Sequence, residues 1–209
     1  MAKEGHLPGK SMVGTFDVLR ANDLIFSYVV SNWLMGQDPP VFDILAWNAD
    51  STRMPAAMHA FYLRNFYVEN KLAAGTLELA GKAIDLSAIK APTYVVSAIN
   101  DHIVPWESSY KTTGLVSGPV RFVLSSGGHI AGIVNPPSPK AWYQIAPADD
   151  ALPASAAAWR AAAQRRGGSW WEDWASWSAE HSGPMQGSPG MGSARHPVLA
   201  DGPGTYVRT

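Results

Sequence analysis

The sequence predicts an α/β fold built on a parallel sheet, and three observations carry that reading. Pro92-Thr93-Tyr94-Val95-Val96-Ser97-Ala98-Ile99 is a β-branched apolar run of the kind buried in parallel sheets. Val120-Arg121-Phe122-Val123-Leu124 is a second such run, and Trp106 to Val116 between them reads as a connecting helix. Strand, helix and strand in that order form a crossover that is right-handed in nearly all cases. The third observation is chemical. Asp101 lies just past the first run and His129 just past the second. Open α/β sheets bind ligands at the carboxyl ends of their strands.

The other elements follow in chain order. Residues 1–14, with Pro8, Gly9 and Gly14, read as a loop leading into the domain. From Asp23 to Leu34, Leu24, Ile25, Tyr28, Val29 and Trp33 recur at helical spacing, with Asn22 placed to cap. Phe42 to Trp47 reads as a short strand, leading into the polar turn at 48–52. Met54 to Leu72 reads as an aromatic-rich helix with Met58, Tyr62 and Phe66 on one face. Leu77-Glu78-Leu79 alternates as a small strand before a turn at Gly81. Residues 136–153 read as loop, and Ala154 to Arg166 as an alanine-rich helix stopping at Gly167-Gly168. Beyond Gly183, glycine, proline and serine dominate, as in a loosely held tail. Two strands cannot make a stable parallel sheet alone, so the runs at 92–99 and 120–124 are expected to need partners from outside the chain.

Composition narrows the function classes. Apolar residues make up 46% and charged residues 16% of the 209, enough for a core and too little charge for a disordered chain. A formal net charge of −1 gives no electrostatic pull toward nucleic acid or anionic membranes. Met1 to Gly14 lacks the apolar core of a signal peptide, and no apolar run reaches the ~18 residues of a membrane span. A soluble cytoplasmic protein is expected. Nine tryptophans include Trp170, Trp171, Trp174 and Trp177, read first as core packing and second as an exposed aromatic surface.

Asp101 precedes His129 by 28 residues, the order of the last two members of a nucleophile–acid–histidine triad. Taken alone, Asp101 could form a turn or cap the helix after Pro105, and His129 could be an ordinary loop residue. His102 reads as a structural neighbour, pointing away from Asp101. The nucleophile is missing: the chain has no cysteine, and no serine sits in a Gly-x-Ser-x-Gly elbow. Ser125 and Ser126 lie on the strand leading to His129, so an ordinary serine hydrolase is rejected. Gly9-Lys10-Ser11 is similar to the end of a phosphate-binding loop, but Glu4 stands where its first glycine must be.

Longer strings point to a family. Asp-His-Ile-Val-Pro-Trp-Glu at 101–107 and Gly-His-Ile-Ala-Gly-Ile-Val-Asn-Pro-Pro at 128–137 resemble the class I poly(3-hydroxyalkanoate) synthases. So do Leu7-Pro8-Gly9, Arg20-Ala21-Asn22-Asp23-Leu24, residues 42–52, Tyr62-Leu63-Arg64-Asn65, residues 168–174 and the closing Gly202-Pro203-Gly204-Thr205-Tyr206-Val207. The resemblance runs from about residue 7 to 209, with every motif in the family's order. Asn100 departs from it, standing where an acidic residue is common.

The resemblance implies the C-terminal part of an α/β-hydrolase fold with a cap subdomain, the upstream strands and nucleophile elbow being absent. Residues 1–14 would lead in, 15–90 would form the cap over the active site, and 91–182 would return to the hydrolase core with its Trp-rich segment. Residues 183–209 would be the Gly/Pro-rich tail. The family uses a cysteine in a Gly-x-Cys-x-Gly elbow to take (R)-3-hydroxyacyl groups from coenzyme A. His129 would be the general base, and Asp101 would orient it. The implied partners are the (R)-3-hydroxyacyl-coenzyme A thioester and the polyester chain, with homodimer or granule-surface association and no metal or redox cofactor. Alone, the chain is expected to be inactive and poorly stable or self-associating. The competing reading is a non-catalytic truncated paralogue that docks on a full-length synthase or polymer granule.

Overall fold

The computed structural model describes residues 4–19, 21–39, 52–147, 152–202 and 204. They fall into two compact units. One comprises Met1–Ala91 with Gly114–Gly118, and the other Pro92–Thr113 with Pro119–Thr209.

The first unit is mostly helical. A two-residue strand β1 (His6–Leu7) pairs antiparallel with β2 (Met54–Pro55). Residues 9–14, expected as loop, instead open helix α1 (Gly9–Leu19). Pro8 lies just ahead of it, where its lack of an N–H costs little. Helix propensity is a weak constraint, so one interior glycine, Gly14, is tolerated at about 1 kcal/mol. The helix expected near 23–34 is present but wide in pitch: the Met35 N–H bonds back five residues to the Val30 carbonyl at 2.9 Å. Asn22 caps nothing, because Ala21 before it is already helical. Helix α2 (Ala56–Tyr62) continues in wide turns through Leu63–Val68, ending short of the expected Leu72. Tyr62 and Phe66 stack at 5.2 Å, whereas Met58 is exposed. Strands β3 (Glu78–Leu79) and β4 (Lys82–Ala83) form a hairpin whose turn residues Ala80 and Gly81 both have positive φ, as hairpin twist favours. The strand expected at 42–47 lies outside the described residues.

The second unit is a four-stranded sheet in the order β5 (Thr93–Ala98), β6 (Val120–Ser125), β7 (Trp142–Ile145), β8 (Gln164–Gly167). Strands β5 and β6 run parallel in register from Thr93↔Val120 to Ala98↔Ser125, with α3 (Trp106–Tyr110) in the crossover between them. Strands β7 and β8 are antiparallel additions. They correct three expectations. Residues 136–153 contain a strand, not only loop. The alanine-rich helix α5 (Ala156–Ala162) is shorter than expected, and 164–167 leave it for the sheet. The sheet also finds partners for β6 within the chain. Tertiary pairing overrode the local signals: Tyr143 and Ile145 bury beside Val123, while Arg165 lays its guanidinium 4.2 Å over the Trp142 ring. Beyond β5 no further strand is paired among the described residues.

Alternation along β6 sorts the core onto two faces. Phe122 and Leu124 face Trp106, Tyr110 and Trp159, the last fully buried with its ring 4.8 Å from that of Phe122. Val123 faces Tyr143 and Ile145, with Tyr94 and Trp170 packed beside them. Helix α6 (Trp170–His181) supplies Trp170, and its N-cap Ser169 accepts the Trp171 N–H at 3.1 Å. The tryptophans split between the two expected roles. Trp170 and Trp177 pack against Tyr94, while Trp171 and Trp174 are exposed.

One buried charge fastens α6 to the sheet. Asp173 accepts from Arg121 Nε at 2.9 Å and the Tyr94 hydroxyl at 2.7 Å, and Arg121 Nη2 bonds its other oxygen. Burial, then the neighbouring Asp173, pushes the Tyr94 phenol well above its ordinary pKa, so it stays a donor. Asp173→Ala leaves Arg121 and Tyr94 without their acceptor. It should cost about 3 kcal/mol, read as a lower urea midpoint by tryptophan fluorescence. An unchanged midpoint would show that the three groups do not hold the helix.

Candidate active site

The parallel pairing of β5 and β6 places two loops side by side. Backbone bonds continue past the strands, Ile99 N–H to the Ser125 carbonyl and Asn100 N–H to the Gly127 carbonyl, both at 3.0 Å. Asp101 therefore starts one residue beyond a fixed rung, and His129 two residues beyond it. Their side chains meet: His129 Nδ1 lies 2.9 Å from Asp101 Oδ2 and 3.0 Å from Oδ1.

Asp101 forms a turn and contacts the histidine at once. Its Oδ1 accepts the N–H groups of Ile103 at 2.9 Å and Val104 at 2.8 Å. It does not cap α3, whose first turn is preceded by Pro105. Burial pushes the Asp101 carboxyl upward, but the Val104 N–H, His129 and the Ile103 N–H together outweigh that and hold its pKa below the ordinary range. The carboxylate is thus an ionised acceptor for an N–H on Nδ1, which leaves Nε2 as the basic nitrogen. The aspartate side chain is 6% exposed and the imidazole 40%, so the pair has a held end and an open end.

The glycines around His129 are there for space. Gly127 has φ +104°, closed to most side chains, and a Cβ there would come within 3.0 Å of Gly132. A Cβ on Gly132, in α4 (Ala131–Val134), would fall 2.3 Å from the Cβ of Ala98. The loop after β6 folds flat onto the end of β5 because nothing larger fits.

The remaining candidates settle into supporting places. His102 is exposed, and its ring stands edge-on to His129 with centroids 6.5 Å apart. Ser125 Oγ is fully buried and accepts from Asn135, and Ser126 Oγ accepts the Trp142 N–H at 3.2 Å, so neither is an open nucleophile. Asn135 and Ser169 were missed at the sequence level. The Asn-Pro-Pro run just past a short helix was the available signal, since asparagine suits a left-handed helix end and proline follows it. Among the described residues no three of His, Asp and Glu gather as a metal site. A concavity of about 190 Å³ lined by Arg121, Trp177 and His181 also touches Pro92 and Pro119, at the amino ends of β5 and β6, away from the Asp101–His129 pair. No helix among the described residues is long and apolar enough to cross a membrane.

Comparison with known proteins gives the site its context. No protein-family model matches the chain. Its relatives include the poly(3-hydroxyalkanoate) polymerase subunit PhaC of Cupriavidus necator, 42% identical over 97% of this chain and 34% of that protein. The poly(3-hydroxyalkanoate) polymerase of Methylorubrum extorquens is 44% identical over 100% of this chain and 34% of its own. Poly(3-hydroxyalkanoate) polymerase 2 of Ectopseudomonas oleovorans is 43% identical over 99% and 37%. The chain spans about a third of the length of these relatives.

Because its folded pKa is depressed, the Asp101 carboxylate adds stability above the ordinary aspartate pKa of about 3.9. That stability is lost as pH falls through the lower folded value. Asp101→Asn should therefore flatten the acid limb of a stability-against-pH curve below about pH 4. An identical acid limb in both proteins would mean that Asp101 is not held ionised by these contacts.

Proposed function

We propose a role in polyester synthesis, from the premise that the chain belongs to the poly(3-hydroxyalkanoate) polymerase family. It is the C-terminal portion of such a synthase, with 91–182 as part of an α/β-hydrolase core and 15–90 as the cap subdomain. The observation that supports this most directly is the pair of Asp101 and His129, 2.9 Å apart at the carboxyl ends of adjacent parallel strands.

The reaction needs a thiolate that these residues do not include. In the proposed site it comes from a cysteine upstream of the matched region. His129 takes the thiol proton, and the thiolate attacks the thioester carbonyl of an (R)-3-hydroxyacyl-coenzyme A. Coenzyme A leaves with the proton returned by His129. The imidazole then takes the proton of a hydroxyl, on a monomer or the growing chain, as that oxygen attacks the enzyme-bound acyl group and frees the thiolate. Asp101 holds the tautomer that keeps Nε2 free and stabilises the imidazolium each time it forms. No metal or redox cofactor enters this scheme. The substrates are the coenzyme A thioester and the polyester, and the setting is the cytoplasm or the surface of a polymer granule. The absence of cysteine also suits the second reading, a truncated paralogue that docks on a complete synthase or granule.

Pure chain should release coenzyme A from 3-hydroxybutyryl-coenzyme A only at background, followed with a thiol reagent. Supplying an upstream synthase segment with the elbow cysteine should raise release, and His129→Ala should abolish the gain. Turnover by the lone chain would sink this reading. A gain indifferent to His129 would favour the docking paralogue.

The apolar surface makes a second expectation. Trp33, Leu34, Tyr67 and Val68 are largely exposed, and β5 ends the sheet. Such surfaces and edges associate. On size-exclusion chromatography the lone chain should elute as dimers or larger species that the upstream segment converts to a defined complex. A sharp monomer peak with a cooperative melt would show that these residues complete their own core.

A further inference from the structure

We propose that Asn135 is a positioning residue for His129, acting through a buried clamp that closes the histidine's loop. The loop leaves the sheet at Ser125, the last residue of β6, passes His129 and α4, and ends at Asn135. Asn135 is buried and left-handed, at φ +27° and ψ +61°, which stops α4 after one turn. Its Nδ2 donates to Ser125 Oγ at 2.7 Å, so the end of the loop is tied to its beginning. Its carbonyl accepts from Ser169 Oγ at 2.6 Å, and Ser169 is wholly buried at the start of α6. Trp170 Nε1 adds a bond to the Ile133 carbonyl at 3.0 Å. The loop is thus pinned to β6 where it begins and to α6 where it ends.

Between those pins stand Gly127 and Gly128, the most permissive backbone in the segment. Among the described residues the imidazole has a single polar anchor, Asp101. A general base must hold its nitrogen to within about half an ångström. The Asn100 N–H on the Gly127 carbonyl and the Gly132 N–H on the Gly128 carbonyl at 2.8 Å hold the near side of the loop, and the buried hydrogen bonds of Asn135 close its far side. The inference deepens the proposed acyl transfer and rests on it only in calling His129 a base.

The test uses the full chain and needs no turnover. Hydrogen–deuterium exchange at the imidazole C2 carbon, followed by peptide mass spectrometry across pH, gives the midpoint of His129 separately from His102. Asp101→Asn sets the scale, because it removes the carboxylate charge beside the imidazole. Asn135→Gly keeps the left-handed backbone and deletes the donor, and Ser125→Ala deletes the acceptor. Each, with circular dichroism unchanged, should displace the His129 midpoint by at least half as far as Asp101→Asn does. An unmoved midpoint in a folded variant overturns the proposal. If Asn135→Gly fails to fold, Ser125→Ala decides; if both fail, the pair holds the sheet together and the positioning role falls. A displaced midpoint without acyl transfer from the reconstituted enzyme would sink the function and keep the clamp, and transfer with an unmoved midpoint the reverse.

Discussion

The ladder between β5 and β6 is the constraint on which the rest depends. Its last rung pairs Ala98 with Ser125, and the bonds just beyond it join Asn100 to Gly127. Both strands point the same way, so both loops emerge at one end, and two residues far apart in sequence arrive within hydrogen-bond distance. A slip of one residue would move every side chain of β6 to the opposite face. Phe122 and Leu124 would leave the Trp159 cluster, and Val123 would leave Tyr143. The apolar alternation of the core thus sets the register of the site.

Helix α6 adds a second support from the other face. Its Asp173 reaches Tyr94 on β5 and Arg121 on β6, the two strands whose pairing matters most. Its first turn reaches the loop after β6 through Ser169 and Trp170. One helix therefore grips both the strands and the loop they position. Parting a buried group from its partners leaves an uncompensated charge, which is costly. Here that cost would fall on any displacement of the tryptophan helix from Tyr94 and Arg121.

The parallel strands and the two candidate residues past their ends were legible because each signal was local. β-branched runs mark buried strands, and a carboxylate or an imidazole directly past such a run is visible in a short window. Strands β7 and β8 were not legible. Trp142–Ile145 is short and flanked by prolines, and Gln-Arg-Arg-Gly carries the propensity of a helix end. Trp142–Ile145 becomes a strand by pairing with β6, and Gln164–Gly167 by pairing with β7 beneath the stacking of Arg165 on Trp142. The clamp at Asn135 was hidden for the same reason: its partners Ser125 and Ser169 lie 10 and 34 residues away, and a buried amide announces itself only through them. In the first unit, local periodicity found the helices but not their wide pitch, nor the helical use of Gly9 to Gly14.

The contact between Ala98 and Gly132 carries a rule about sequence change. The gap between them has room for one methyl group, and it is spent on the strand side. A Cβ on Gly132 would also lie 3.2 Å from the Gly127 carbonyl carbon and 3.2 Å from the Ser126 oxygen, so Ala98→Gly relieves only one of its three close contacts. At Gly132 the loop's own backbone, as well as the strand, leaves a side chain no place to go.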